Sequence, residues 1–245
     1  MHIIFSQFNS PTFNLAAEEF LFSERHDDLL FLYVNEPSVI IGSNQAIKNE
    51  VDSKFCEENN IQVIRRMSGG GAVYHDFGNL NFCFIYNRKK TDSSLSADFL
   101  QPIVSVLADL DIRVEIGKRK DLWLEGNYKV SGTASHIGKT RELHHGTLLY
   151  DTNLEMLEKA LNPKNKDYNV KATNSVRSKV NNIKICLKEQ GQLTNTAEIF
   201  FRLIVSKLLS FYDLNTFTDL SENEMKHIQK IELNKYDLKE WNYKK

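Results

Sequence analysis

Residues 62–81 read QVIRRMSGGGAVYHDFGNLN, and no other stretch restricts the chain's shape as much. Gln62 to Arg66 has the pattern of a strand, and it runs directly into three consecutive glycines, Gly69, Gly70 and Gly71. Residues without a Cβ can take positive φ and let a ligand approach the backbone closely. Their N–H groups can converge on an anion such as a phosphate or carboxylate. Arg66 adds a planar, permanently charged donor fork suited to phosphate oxygens, and Ala72 is small enough to leave room for an apolar ligand body. No GKS or GKT follows, so this is not a Walker loop, and it is not a GxGxxG dinucleotide fingerprint. On composition alone a glycine-rich hairpin turn is an equal alternative. The double arginine before the glycines and His75-Asp76 after them shift the reading toward a ligand site.

Two further clusters carry chemistry. In Lys129-Val130-Ser131-Gly132-Thr133-Ala134-Ser135 a lysine sits at a strand end among small residues, where it can meet two anionic ligands at once. A lone lysine is ordinarily a solvated surface charge, and its spacing alone does not overturn that. In His144-His145-Gly146-Thr147 adjacent strand positions face opposite ways, so one histidine lining a pocket is expected rather than a metal-binding pair. Asp121 is a candidate Mg²⁺ or ribose ligand, or an ordinary turn aspartate.

Around these motifs the pattern alternates strands and helices. Strands are expected at His2 to Phe5, Leu29 to Val34, Ser38 to Ile41, Leu80 to Tyr86, Arg113 to Ile116, Leu122 to Glu125, Tyr128 to Ser131 and Gly146 to Tyr150. Helices are expected at Asn14 to Arg25, Asn49 to Asn60, Leu95 to Leu110 (broken or started again near Pro102), Asn153 to Leu161, Thr194 to Phe211 and Glu222 to Ile231. In the helix from Thr194, Ile199, Phe200, Leu203, Ile204, Lys207 and Leu208 mark one side. Gly126-Asn127 marks a turn. Pro163 to Lys188 is polar and lacks periodicity. The mixture predicts one α+β domain, residues 1–245, built on a mixed β-sheet with flanking helices.

Lys+Arg 31 against Asp+Glu 32 leaves a net charge of −1, which argues against nucleic acid as a partner. Three widely spaced cysteines, Cys56, Cys83 and Cys186, supply neither a zinc pair nor a disulfide framework. The N-terminus is not of signal-peptide type and no apolar run approaches membrane-spanning length. A reducing, cytoplasmic enzyme with no membrane partner is expected.

RRMSGGGAVYHDFGNLN, KVSGTASH and HHGTLL resemble, in order and rough spacing, the lipoate–protein ligase A family. FNLAAEE at Phe13 to Glu19, TNSVRSKVNNI at Thr173 to Ile183 and Trp241-Asn242 extend the resemblance over nearly the whole chain. It implies the biotin/lipoate ligase fold, related to class II aminoacyl-tRNA synthetase cores. It further implies ATP-dependent activation of lipoate to lipoyl-AMP and transfer of lipoyl to an acceptor lysine. The cofactors implied are ATP and Mg²⁺, with lipoate as substrate. Lys129 would be the catalytic residue, contacting both the lipoate carboxylate and the α-phosphate. Arg66, Ser68, Gly69, Gly70, Gly71, Ala72, Val73, Tyr74, His75, Asn79, Asp121, Ser131, Gly132, Ala134 and His145 would form the lipoate and ATP site, with Asp121 as the Mg²⁺ candidate.

Lipoyl-domain proteins would be the acceptors: the E2 subunits of 2-oxoacid dehydrogenases and the glycine cleavage carrier protein. Relatives carry an accessory domain after the catalytic one; its absence here implies a possible separate accessory polypeptide. Gly138 to Leu143 and the stretch from Pro163 are the candidates for enclosing the adenylate. The alternatives are an acyltransferase using pre-activated lipoyl or octanoyl groups, a biotin ligase, and a binding module without catalysis. Cys83, flanked by Phe82 and Phe84, reads as packing rather than as an acyl-carrying nucleophile.

Overall fold

A computed structural model describes every residue except 89–97, 126, 165–171, 190, 192–193 and 245. Among the described residues the chain forms strands β1 (His2–Phe5), β2 (Leu29–Tyr33), β3 (Ser38–Ile41), β4 (Gln62–Arg65), β5 (Val73–His75), β6 (Asn79–Asn87), β7 (Val114–Ile116), β8 (Leu122–Leu124), β9 (Tyr128–Ser131), β10 (Thr133–Ile137) and β11 (Arg141–Leu149). The helices are α1 (Pro11–Glu24), α2 (Ile47–Glu50), α3 (Ser53–Glu58), α4 (Gln101–Ala108), α5 (Leu154–Ala160), α6 (Ile183–Glu189), α7 (Ala197–Phe211), α8 (Glu222–Ile231) and α9 (Lys239–Asn242), with a π-helical turn at Glu232–Tyr236.

The central sheet has the strand order β1-β2-β6-β11-β10, with β1 and β2 parallel and the other pairings antiparallel. Both faces are covered, which is why β2 reads as an unbroken apolar run rather than an alternation. Leu30 and Leu32, with Phe82 and Phe84 of β6, face α4 and α7, where Ile103, Leu107, Ile204 and Leu208 pack. Phe31, Cys83 and Ile85 face α1, with Leu15, Ala16 and Leu21, and Ile228 of α8 joins the same cluster. A second sheet, β4-β3-β5, packs on α3 and α5, and a third is ordered β7-β8-β9. Among the described residues no helix is long and apolar enough to cross a membrane.

The helix starts follow local chemistry. Ser10 accepts the Phe13 N–H and Pro11 occupies the first turn of α1, so this helix begins three residues before the apolar pattern does. Ser221 and Glu224 cap α8 reciprocally. The single helix expected from Asn49 to Asn60 is two short ones, because Asp52 caps a new start at the Phe55 N–H. Pro102 lies in the first turn of α4, so of the two expectations there, a break or a new start, the start holds; residues 95–97 of the expected helix lie outside the described residues, as does Gly126 of the expected turn. On α7 the buried side is Phe200, Phe201, Ile204, Val205 and Leu208; Ile199 and Leu203 are exposed, so the expected stripe is rotated. Within the supposedly aperiodic 163–188 stretch, α6 forms and buries Ile183 and Leu187.

A larger correction concerns residues 132–145. The expected polar loop is the β10–β11 hairpin, nine residues of β11 pairing across β6 from Arg141↔Asn87 to Leu149↔Asn79. Gly138 donates to the Arg141 carbonyl at 2.8 Å, and Arg141 to Leu143 are buried. This is a tight turn at a sheet end and cannot serve as an enclosing loop.

The C-terminal segment locks onto β4. Trp241 Nε1 donates to the Arg65 carbonyl at 2.7 Å, and the Arg65 N–H donates to Asn242 Oδ1 at 2.9 Å. Asn242 Nδ2 in turn donates to the Tyr236 carbonyl. Asn242→Ala leaves the buried Arg65 N–H without its acceptor, which costs about 1–3 kcal/mol. Urea unfolding should show that loss, and an unchanged midpoint would contradict this role.

Candidate functional site

The glycine loop turns where β4 ends, and the two arginines before it point opposite ways, as adjacent strand residues must. Arg65, 1% exposed, donates to the carbonyls of Gly42, Ser43 and Gln45 and to those of Asn242 and Lys244. It therefore ties β3's exit loop to the C-terminus and does not face the cavity. Arg66 faces the cavity, yet four of its N–H groups are engaged by the protein: Nε by Ser68 Oγ, Nη1 by the Ile40 carbonyl, and Nη2 by the carbonyls of Gly69 and Gly71. Burial lowers its pKa to about 10, still charged at neutral pH. The guanidinium sets the loop's curvature from inside, rather than standing ready as an open fork. Gly70 has φ +85°, and a Cβ on Gly42 would lie 2.3 Å from the Gly70 carbonyl oxygen, so the two glycine-bearing turns interlock.

Beneath the loop lies a cavity of about 290 Å³. Its deep walls are apolar, from Leu15, Ile40, Ala72, Val73 and Ala134. His75, Asn81, Tyr33 and His145 add polar atoms to the lining, and Arg119, Asp121 and Lys129 add charged ones. A second cavity of about 530 Å³ adjoins it, lined in part by Tyr74, Ser131, Leu149, Leu157, Arg177 and Lys179. The two share Ala72, Val73, Lys129, Gly132, Thr147, Ser175 and Val176. Lys129 thus stands at the junction of two chambers.

The lysine is held from several sides. Trp123 of β8 lies opposite it in the β8–β9 pairing, the Lys129 N–H donates to the Lys179 carbonyl at 2.9 Å, and the Asn181 N–H donates to the Lys129 carbonyl at 3.2 Å. Nζ lies 3.3 Å from Asp121 Oδ2, which is also 3.5 Å from Arg119 Nη2. Burial lowers the Lys129 pKa, against the pull of Asp121. Burial works to raise the Asp121 pKa, but the Trp123 and Lys129 hydrogen bonds outweigh it and hold the carboxyl below its usual range.

Residues 172–182 form the roof. Ser175 Oγ accepts the Ala72 N–H at 2.9 Å, Gln45 Nε2 donates to the same oxygen at 3.1 Å, and Glu50 accepts the Ser175 N–H. This part of the stretch after Pro163 does lie over the chambers; residues 165–171 are outside the described set.

Of the expected site residues, Arg66, Gly70, Gly71, Ala72, Val73, His75, Asp121, Lys129, Gly132, Ala134 and His145 line the first chamber, and Tyr74 and Ser131 the second. Ser68, Gly69 and Asn79 line neither. Ser68 is buried behind the wall, between Arg66 Nε and His145 Nε2. Gly69 supplies a carbonyl to Arg66. Asn79 donates to Asn81, and it is Asn81 that reaches the cavity. Sequence reading missed Leu15, Tyr33 and Ile40, which read as plain core, and gave Thr173–Val176 an enclosing role but no place among the lining residues. His144 faces away from the cavity and stacks on Phe99 with centroids 4.3 Å apart. None of the cysteines lines either chamber; burial raises the Cys56 pKa to about 11 and the Cys83 pKa well above its usual value.

Residues 10–204 match the family described as the lipoyl protein ligase A/B catalytic domain. The chain belongs to this family. It is 36% identical to the lipoate-protein ligase LplJ of Bacillus subtilis (strain 168) over 239 residues, 96% of this chain and 71% of that one. The structure of P. falciparum LipL1 in complex with lipoate aligns with a TM-score of 0.80 at 27% identity, over all of this chain and 74% of that one. Lipoate-protein ligase A bound with ATP shares the fold, with a TM-score of 0.80 at 24% identity, over 99% of this chain and 98% of that one. The expected mixed-sheet fold of this family is therefore present, and the enzyme class is that of its lipoate-protein ligase relatives.

His75 yields a prediction. Its Nδ1 takes the Asn35 amide N–H at 3.0 Å, which leaves the proton on Nε2, and burial lowers its pKa to about 3. The unfolded chain binds this proton near pH 6.5. Between those values the unfolded state holds more protons, so this contribution to stability is intact above about pH 6.5 and declines as pH falls. The stability difference between wild type and His75→Gln should shrink by roughly 1.4 kcal/mol per pH unit below that point. Ring NMR showing His75 titrating near its ordinary value in the folded protein would refute the assignment.

Proposed function

We propose that residues 1–245 act as one catalytic unit that activates lipoate with ATP and transfers the lipoyl group to a lysine of a lipoyl-domain protein. The observation that carries this is the position of Lys129 at the junction of two adjoining chambers that share the edge of the glycine loop and Ser175-Val176. The deep chamber suits an acyl chain ending in a dithiolane, with its carboxylate beside Nζ. The larger chamber suits the nucleotide, whose phosphates lie toward Lys129, Arg177 and Lys179.

Two anions must meet for reaction. The ammonium between them offsets their repulsion and stabilises negative charge growing on the α-phosphoryl oxygens. A carboxylate oxygen attacks the α-phosphorus, the bond to the bridging oxygen breaks, and pyrophosphate leaves. The acyl adenylate stays under the roof, away from water. The acceptor's lysine amine then attacks the acyl carbonyl, loses a proton and displaces AMP. No enzyme nucleophile is needed, in keeping with thiols that are buried and held protonated.

Asp121 fits Mg²⁺ as a single carboxylate ligand: its Oδ2 is buried and held by ion pairs with Lys129 and Arg119, at 3.3 and 3.5 Å, that a metal would share or replace. Mg²⁺ is commonly held by one or two carboxylates together with substrate phosphates. When bound it neutralises phosphate charge. Asp121 itself orients the Lys129 ammonium in the absence of other ligands.

Lipoate-dependent ATP–pyrophosphate exchange by the purified chain tests the reading. Lys129→Ala should lower the exchange rate by roughly 10²–10³-fold, and Lys129→Arg should not restore it. A wild type that shows no exchange but transfers lipoyl from supplied lipoyl-AMP would make the chain a transferase, or one part of a ligase completed by a separate accessory polypeptide. Asp121→Asn should raise the Mg²⁺ concentration needed for half-maximal exchange; an unchanged Mg²⁺ dependence would remove Asp121 from that role.

A further inference from the structure

Behind the deep end of the first chamber, Glu18, Cys83 and His145 bring a carboxylate oxygen, a thiol sulfur and an imidazole nitrogen within 4.8 Å of one another. The topology makes this meeting unavoidable. Cys83 of β6 and His145 of β11 are direct cross-strand partners on one face of the central sheet, where side chains stand about 5 Å apart. Glu18 comes down on them from α1, with Oε2 2.9 Å from His145 Nδ1. All three side chains are buried.

We propose that these residues form a binding site for a thiophilic divalent cation of the Zn²⁺ class. The donor set of one thiolate, one imidazole and one carboxylate suits a borderline-soft ion that accepts sulfur, nitrogen and oxygen. Ligand bonds of about 2.0–2.3 Å place ligand atoms roughly 3.5 Å apart in a tetrahedral site, so contraction by about an ångström assembles it. Supporting contacts are already made. Without the ion, His145 Nδ1 donates to Glu18; on metal binding the ring proton moves to Nε2, where Ser68 Oγ at 2.7 Å accepts it, and Nδ1 ligates. The Tyr33 hydroxyl donates to Glu18 Oε1 at 3.0 Å and steadies the carboxylate. His145 alone of the three lines the chamber, so the site communicates with the cavity through the imidazole.

Charge closes the argument. Loss of the Cys83 proton on metal binding gives two negative ligands for a dication. Arg66, which acts electrostatically on Glu18, is engaged by backbone carbonyls and Ser68, while His75, which acts on Arg66 and His145, is neutral. The acyl substrate and the ion share His145, so metal loading should raise the KM for the acid.

Co²⁺ titration of the full chain tests this without relying on activity. Wild type and the Cys56→Ser/Cys186→Ser double variant should each develop a near-ultraviolet sulfur-to-cobalt charge-transfer band at one equivalent, lost on adding Zn²⁺ or EDTA. Cys83→Ser should lack the band while keeping its exchange activity. Cys83→Ala serves should the serine variant fail to fold. No band in the wild type, or a band that survives in a folded Cys83 variant, overturns the proposal.

Discussion

Arg65 and Arg66 place two guanidinium groups where water is excluded, and neither has a carboxylate partner in the hydrogen-bond network around it. Their charges are met almost entirely by backbone carbonyls. Removing either guanidinium would strand several buried acceptors at once, each worth about 1–3 kcal/mol when left unpaired. Because the two side chains leave the strand on opposite faces, one anchors the loop to the C-terminal segment and the other bends it over the cavity. The floor of the first chamber, its roof contacts through Ala72, and the approach of Gly42 to Gly70 all follow from that pair.

This arrangement explains how a glycine-rich turn can be a rigid wall. Glycine's freedom is useful only if something removes it again. Here Arg66 fixes the carbonyl side of the loop and Ser175 takes an N–H from the opposite side. The result is a preformed apolar slot with polar atoms fixed at its deep end, the usual character of a small-molecule site.

Much of the fold was legible in the pattern, and the reasons for failure differ by place. Ser38–Ile41, Tyr128–Ser131 and Glu222–Ile231 appear with the expected bounds, because apolar runs or a capping box define them locally. The β10–β11 hairpin was missed because β10 is an edge strand, mostly half-buried, and its residues carry no apolar alternation. Arg141 and Glu142 then looked like loop residues, although the sheet buries them. In the site, the motif residues were readable since their chemistry is dense in sequence. Leu15, Tyr33 and Ile40 were not, because a core residue and a cavity-lining residue differ only in whether something packs against the last face. The two arginines had equal standing in sequence, and only their opposite directions along the strand separate anchor from wall.

The roof segment hydrogen-bonds to the backbone of Lys129 on both sides of that residue, at Lys179 and Asn181. The Lys129 side chain is therefore carried by a strand whose edge is the roof itself. In the proposed reaction, swinging the roof aside to let a product depart unzips the same ladder that positions Lys129. Release and loss of alignment at Lys129 are then a single motion.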